Sequence, residues 1–287
     1  LAVQRAWNAQ APYGADVISR IQHTLDTPQG FSELSGRIRG QIWAMLEAAL
    51  SAAGRQAEEL KEISVAGNTV MESLFAGKSV AGMAAAPFRP DSLFFGPEGT
   101  GDLNGVPVRL LPCVAGYVGG DITAGLMASG LGEKPGEHLF LDIGTNGEMA
   151  AGGADGFLVT SAAAGPVFEG GNISCGVAGV PGAVTSLVLE RDPAAIGGIR
   201  TVELSTIAGE TPIGLCGTGI IDAVGEAVRL GLIDENGTFE EPWFTDGMPV
   251  AEGRFRFRQE DVRQVQMGKA AIRAGIETLL AEYGGGD

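Results

Sequence analysis

An acidic side chain followed by a glycine-rich turn is the part of this 287-residue chain best suited to chemistry. Asp142 closes an apolar run that starts at His138, and Gly144, Thr145, Asn146 and Gly147 follow it. Successive amides of such a turn can converge on an anion, and a neighbouring carboxylate can hold a divalent cation against phosphate oxygens. The pattern predicts a phosphate-binding turn, although an Asp-x-Gly-Thr hairpin alone is also a common structural turn.

The residues around this turn predict a three-stranded meander. Residues 138–143 have the apolar content of a largely buried strand, and the Asn-Gly pair after them favours a tight turn. A second strand is expected over 147–151 and a third over 157–161. Asp142 would then lie beside the first turn of the meander.

Two further glycine-containing segments could contribute to the same site. The segment 164–171 carries Gly165 and Glu169, and its small residues and helix start would form the second wall of a cleft. Glu169 is then either a solvated first-turn acid or a ligand or base that faces the cleft. Gly217, Thr218 and Gly219 open a predicted helix, and this start is either an anion site or a plain helix cap.

Four motifs in this order resemble the reductive activators of corrinoid proteins, which belong to the actin, sugar-kinase and heat-shock-chaperone ATPase superfamily. They are DIGTNGE from Asp142, AGPVFEG from Ala164, LCGTGIID from Leu215 and VQMGKAAIRAG from Val265. The resemblance runs along nearly the whole chain. It implies an α/β, two-lobed, actin-like ATPase with ribonuclease-H-like lobes, the first continuing over 1–132 and the second over 133–287.

The resemblance also implies site residues and cofactors. The cofactors would be ATP and Mg²⁺, with Asp142 holding the metal and its waters and the amides of Gly144 to Gly147 binding phosphate. Glu169 would orient water, and the other nucleotide contacts would come from Gly165, Gly217, Thr218 and Gly219.

The same comparison predicts that the sequence is incomplete at both ends. The first phosphate turn of the superfamily would lie before Leu1, and an adenosine loop would follow Asp287. A ferredoxin-like domain with a two-iron two-sulfur cluster is expected only outside these residues. We therefore expect ATP hydrolysis from the full-length protein rather than from this part alone.

The implied function is reduction of a cobalt(II) corrinoid to cobalt(I), driven by ATP, with a corrinoid protein of a methyltransferase system as the partner. Two other functions stay open. A small-molecule kinase of the same superfamily would need a carboxylate base, for which Asp121 or Glu169 could serve. A non-catalytic module that docks a protein would use the cleft only structurally. The sequence also leaves a homodimer open.

Composition excludes several other classes. The net charge of −16 and the pI near 4.5 argue against nucleic-acid binding, which needs clustered Lys and Arg. No apolar run reaches the ~20 residues that span a bilayer, so a soluble cytoplasmic protein is expected. Cys113, Cys175 and Cys216 are far apart and form no C-x-x-C pair, which predicts three small buried residues rather than a metal centre.

The remaining pattern predicts helices over 16–25 and 31–50, a strand over 62–66 that leads into a helix after Asn68, and a surface excursion over 87–106. Asp121 is expected to cap a helix over 122–129, and a catalytic role for it is the second choice. A helix with Pro181 in its first turn is expected over 181–190. Asp261 is expected to cap the last helix, in which Gly268 and Gly275 would allow a close backbone approach.

Overall fold

A computed structural model describes residues 2–14 and 16–284 of the chain. The chain divides into two compact units. Unit 1 consists of Leu1–Phe140 and Ala151–Val159, and unit 2 of Leu141–Ala150 and Thr160–Asp287. The division into ribonuclease-H-like lobes over 1–132 and 133–287 stays a prediction.

The described part of unit 1 contains four α-helices: α1 (Val17–Asp26), α2 (Gly30–Ala52), α3 (Thr69–Ala76) and α4 (Gly120–Ser129). Helix α1 begins as expected, because the Asp16 side chain accepts the Ser19 N–H at 2.7 Å and caps it. Asn68 caps α3 in the same way through the Val70 N–H. Leu34, Val70 and Leu74 are fully buried between these helices, and each such side chain contributes roughly 1.5–3 kcal/mol.

The sheet of unit 1 has three strands: β1 (Ile63–Val65), β2 (Thr100–Leu103) and β3 (Val106–Leu110). Their order is β1-β3-β2, with β1 parallel and β2 antiparallel to β3. Strand β2 lies in the segment that the sequence predicted as a surface excursion, and Phe94 in that segment is buried in the core. That prediction was wrong, because the prolines and glycines hide a short strand that only pairing with β3 stabilises.

The predicted meander is present as β4 (His138–Ile143), β5 (Gly147–Gly153) and β6 (Gly156–Ala162), in that order within one sheet. All three strands are divided between the two units. Strand β4 was expected to be largely buried, but its Leu139, Leu141 and Ile143 side chains are exposed. Strand β5 is instead buried along its whole length. Strand β4 is at the edge of this sheet, and β5 is its central strand.

The described part of unit 2 has two further sheets and three α-helices. Strands β7 (Ala183–Arg191), β8 (Ile199–Thr206) and β9 (Gly214–Leu215) form one sheet in the order β8-β7-β9. Strands β10 (Met248–Val250) and β11 (Phe255–Phe257) form an antiparallel ribbon. The helices are α5 (Gly217–Arg229), α6 (Trp243–Asp246) and α7 (Gln259–Tyr283). A single large cluster of buried residues joins α5, α7 and these strands.

The prediction of a helix over 181–190 is wrong, because most of this segment forms β7. A register shift between Val184 and Ser186 interrupts the alternation of buried and exposed side chains. The period of two is clear only afterwards, where Leu187 and Leu189 are buried and Val188 is exposed. The spacing of the apolar residues therefore resembled that of a helix, but this segment forms a strand because it pairs with β8 and β9.

The capping residue of α4 also differs from the expectation. Gly119 is the N-cap, and Asp121 lies in the first turn, where its Oδ1 accepts the Ile122 N–H at 2.9 Å. A Cβ on Gly120 would lie 2.8 Å from the Leu111 carbonyl oxygen, so this first position of the helix requires glycine.

Asp261 stabilises the start of α7 from its third position, while the N-cap is Arg258. Its side chain is buried and accepts three hydrogen bonds, from the Arg258 N–H at 2.7 Å, the Ser174 N–H at 2.7 Å and the Ser174 hydroxyl at 2.6 Å. Asp261 therefore ties α7 to the loop that carries Ser174, 87 residues earlier in the chain.

Asp261→Ala is expected to lower the free energy of unfolding by about 2–4 kcal/mol, since it removes all three hydrogen bonds to a buried carboxylate. Urea unfolding measures this change. Glu260→Ala removes an exposed acid from the same turn and serves as the control. Equal midpoints for the two variants would show that the Asp261 contacts contribute no more than surface charge.

Candidate functional site

Asp142 lies one residue before the end of β4, at the start of the glycine turn. Its side chain is exposed, and among the described residues it has no hydrogen-bond or ion-pair partner. The turn is closed by the Gly144 N–H, which donates to the Asn146 carbonyl at 3.0 Å. Asp142 is therefore not part of a buried ion pair.

Glu169 lies beside this turn although it is 24 residues away in the chain. It ends a short 3-10 helix, Pro166–Glu169, rather than starting an α-helix. Its Oε2 accepts a hydrogen bond from the Thr145 hydroxyl. A Cβ built on Gly144 would lie 3.7 Å from Glu169 Oε1, so the carboxylate is next to the backbone of the turn as well.

The N-terminus of α5 lies against the same segment. A side chain on Gly217 would overlap the carbonyl of Phe168, the residue before Glu169, with its Cβ 2.9 Å from the Phe168 carbonyl carbon. Gly219 is in similar contact with the Val184 backbone. Thr218, between them, is exposed. Unit 2 thus brings the glycine turn, Glu169 and the start of α5 together.

Gly165 precedes the 3-10 helix with φ of +78°, a conformation that favours glycine. A Cβ there would meet nothing within 4 Å. Backbone conformation rather than crowding therefore explains this glycine.

Helix α7 packs directly behind these segments. A Cβ on Gly268 would lie 2.7 Å from Val167 Cγ1, and one on Gly275 would lie 2.7 Å from Met149 Cε. A close approach is present at both glycines, but a backbone atom, the Ala164 carbonyl oxygen at 3.2 Å, takes part only at Gly268, and the neighbours of Gly275 are side chains. The first contact supports the 3-10 helix of Glu169, and the second supports β5 next to the turn.

Glu148 is a residue near the site that the sequence motifs did not indicate as functional. It is 8% exposed in β5, and its Oε1 lies 3.5 Å from Asn146 Nδ2. The sequence did contain one signal for Glu148, namely an acidic residue directly after the turn in a strand whose other residues are small or apolar. The strand pattern alone could not show that β5 is buried on both faces.

The oxygen and backbone groups at the turn suit Mg²⁺ better than they suit a metal ion whose ligands all come from the protein. Among the described residues, no three His, Cys, Asp or Glu side chains are grouped to hold an ion. Mg²⁺ usually keeps several waters and takes one or two carboxylates together with phosphate oxygens. The exposed Asp142 carboxylate next to the glycine turn can meet this need.

The cysteines are placed for packing. Cys113 and Cys216 are buried, as predicted, whereas Cys175 is half-buried. Burial raises the pKa of the Cys113 and Cys175 thiols to about 12. These two thiols therefore stay protonated near neutral pH and are poor nucleophiles or metal ligands.

The meander, its glycine turn after Asp142 and the glycine-rich start of α5 define an actin-like ATPase domain. The chain belongs to the family described as the C-terminal domain of RACo, the ASKHA domain, whose model matches residues 137–286. A model of the RACo middle region matches residues 1–134. Membership in an ATPase family of this kind implies nucleotide binding.

Several characterised proteins are similar to this chain. A corrinoid activation enzyme, RamQ, of Eubacterium limosum is 30% identical over 96% of the chain and 50% of its own length. The [Co(II) methylated amine-specific corrinoid protein] reductase of Methanosarcina barkeri is 28% identical over 78% of the chain and 46% of its own length. The solved structure of a reductive activator for corrinoid, iron-sulfur protein has 31% identity and a TM-score of 0.80, and covers 97% of the chain.

The chain spans about half the length of these relatives, since it covers 47% of the solved activator and 50% of RamQ. Across the described residues, no helix has both the length and the hydropathy that a bilayer crossing requires.

Proposed function

We propose that this chain is the nucleotide-handling part of an ATP-dependent reductive activator, which returns a cobalt(II) corrinoid to cobalt(I). The similarity to a solved reductive activator, at 31% identity over 97% of the chain, is the observation that carries this proposal. The names of the two enzyme relatives support it, because both describe action on corrinoid proteins.

In this proposal ATP and Mg²⁺ bind at the glycine turn of unit 2. Asp142 holds the metal through its exposed carboxylate, and the backbone from Gly144 to Gly147 faces the phosphates. When bound, Mg²⁺ neutralises charge on the phosphate oxygens, which is a main requirement of phosphoryl transfer. The glycines at positions 165, 217 and 219, with Thr218, contribute the remaining nucleotide contacts.

Glu169 orients the attacking water in this scheme, and Thr145 orients Glu169. The hydrogen bond from the Thr145 hydroxyl fixes one carboxylate oxygen and leaves the other, Oε1, close to the turn. A carboxylate held in this way can accept a hydrogen bond from water without first reorganising.

Nucleotide hydrolysis would change which conformation binds the partner and so make an unfavourable electron transfer proceed. The electrons would come from an iron–sulfur donor. The partner would be the corrinoid protein of a methyltransferase system, and the reaction would take place in the cytoplasm. Sedimentation of the full-length protein would show whether two copies pair.

A pull-down with the full-length gene product tests the proposal. A cobalt(II) corrinoid protein is presented with ATP, with ADP and without nucleotide, and formation of cobalt(I) is followed by its absorption. We expect retention of the corrinoid protein to depend on the nucleotide, and reduction to require ATP and a reductant. ATP consumption that depends on a sugar or an acid instead of the corrinoid protein would favour the kinase.

Glu169→Gln is expected to reduce ATP turnover by about 10- to 100-fold, less than the loss of the metal ligand, because the amide still positions water but is a weaker acceptor. Thr145→Val tests the same contact from the other side and should cause a smaller loss. Turnover of the full-length protein is measured at saturating ATP. If Glu169→Gln turns over ATP at the wild-type rate, Glu169 does not orient water and is the solvated acid that the sequence left as the alternative.

A further inference from the structure

Strand β8 is the open edge of its sheet. Among the described residues only β7 pairs with it, so the other edge of β8 has a row of backbone N–H and C=O groups without a neighbouring strand. The pairing skips Val202, because Glu203 and Thr201 are opposite consecutive residues of β7. Val202 therefore has no partner in β7, and it is 38% exposed.

A groove of about 270 Å³ follows this edge within unit 2. Residues 201–204 of β8 line one side, and Ala251, Glu252 and Arg254 of the turn between β10 and β11 line the other. Side chains of a strand point alternately to its two faces, so four consecutive lining residues show that the groove runs along the edge of β8 rather than over one face. The backbone of β8 therefore lines the groove as well.

The turn between β10 and β11 is anchored by contacts within unit 2. Ala251 is 9% exposed, and its carbonyl accepts the Arg254 N–H at 3.1 Å. The Glu252 N–H donates to the Thr201 hydroxyl of β8 at 3.5 Å. Ala251 and Glu252 have φ of +52° and +56°, a region that residues with a Cβ rarely adopt, so these contacts maintain the turn. This side of the groove is preformed, and binding would need to order only the occupant.

The side chains that line the groove suit a segment that is both apolar and basic. Val202 and the half-buried Leu204 supply apolar surface. Glu203 and Glu252 are exposed on opposite sides, and neither side chain has a hydrogen-bond or ion-pair partner among the described residues. Arg254 offsets only one of these two acids, and the net charge of −16 adds attraction for basic segments.

We propose that this groove binds an extended segment of a partner protein in which apolar side chains alternate with Lys or Arg. The segment pairs through its backbone with the open edge of β8, places an apolar side chain against Val202 and brings a basic one to Glu203 and Glu252. A second copy of this chain fits less well, because it carries the same net charge of −16. This inference concerns a protein contact and does not depend on the nucleotide site proposed above.

Binding of a labelled peptide to the full-length protein tests the proposal. The probe is a fluorescent peptide in which four Lys alternate with three Val, and its anisotropy is followed. The double variant Glu203→Gln, Glu252→Gln should weaken binding about 10-fold, because two exposed charge pairs are lost. The double variant Glu235→Gln, Glu240→Gln makes the same change of net charge at two other exposed acids of unit 2. This control should alter binding by less than about 2-fold.

A peptide of the same sequence with N-methylated backbone amides tests the strand pairing on the wild type. It keeps the side chains and the charge but cannot donate backbone hydrogen bonds, so we expect its binding to be lost. The unmethylated peptide should also slow amide hydrogen exchange over 201–204. The Leu189 amide of β7 should not change, because Glu226 already binds it at 2.7 Å.

Four results would overturn the proposal. The unmethylated peptide might fail to bind, or the methylated one might bind equally well. Equal weakening by the two double variants would assign the binding to general charge attraction. A change of oligomeric state in Glu203→Gln, Glu252→Gln, seen by sedimentation, would assign the groove to a second copy of the chain. The methylated peptide is tested on the wild type, so it decides the question even if this double variant does not fold.

Discussion

Replacing Asp142 with Asn is expected to remove most nucleotide hydrolysis from the full-length protein and to leave its fold nearly unchanged. The side chain is exposed and has no partner among the described residues, so its loss of charge should change the free energy of unfolding by less than about 0.5 kcal/mol. A carboxylate that holds Mg²⁺ on phosphate contributes to the transition state instead. We expect a decrease of at least about 10²-fold in kcat, which is roughly 3 kcal/mol.

ATP turnover and thermal melting, measured on the same preparation, separate these two effects. Asp155→Asn is a matched control, because Asp155 is an exposed acid in the next turn of the meander. Its turnover should equal that of the wild type. Full activity in Asp142→Asn would remove Asp142 from the site, and a large fall in its melting temperature would assign it a structural role.

Gly217→Ala is expected to have the second large effect, on the arrangement of the site. The new methyl group would overlap the Phe168 carbonyl and push the 3-10 helix that ends at Glu169 away from α5. The backbone cannot rotate aside as a flexible side chain could. Overpacking of this kind typically costs about 1–3 kcal/mol, so we expect a loss of stability of that size together with weaker nucleotide binding.

Gly225→Ala supplies the control in the same helix. A Cβ at Gly225 would meet nothing within 4 Å, and Ala is the better helix former by about 0.8–1.0 kcal/mol. We therefore expect Gly225→Ala to stabilise the protein slightly and to leave nucleotide binding unchanged. Urea midpoints and the binding of a fluorescent ATP analogue measure both variants. Equal behaviour of the two would show that α5 does not support Glu169 through the Gly217 contact.

The local features of this fold could be predicted from the sequence. The meander at 138–162, the Asn68 cap of α3 and the glycine-opened helix α5 each follow from turn residues and apolar spacing within a few positions. Gly268 and Gly275 likewise predicted the close packing of α7. In each of these segments the short-range preference agrees with the final structure, so no distant contact had to override it.

Strand β7 and the short strand β2 required the tertiary structure. A register shift hides the alternation of β7, and prolines and glycines surround β2, so each is a strand only because a neighbour supplies its hydrogen bonds. The exposure of β4 and the burial of β5 were likewise decided by their places at the edge and the centre of the sheet.

The sequence by itself determined the types and order of the residues proposed for the site, from Asp142 and its glycine turn to Glu169 and the start of α5. Only the tertiary structure decided that Thr145 bonds Glu169 across 24 residues and that the turn between β10 and β11 lies beside the open edge of β8. The physical reason is that a side chain's hydrogen-bond partner and its exposure to water depend on distant segments. A short-range pattern carries no information about either.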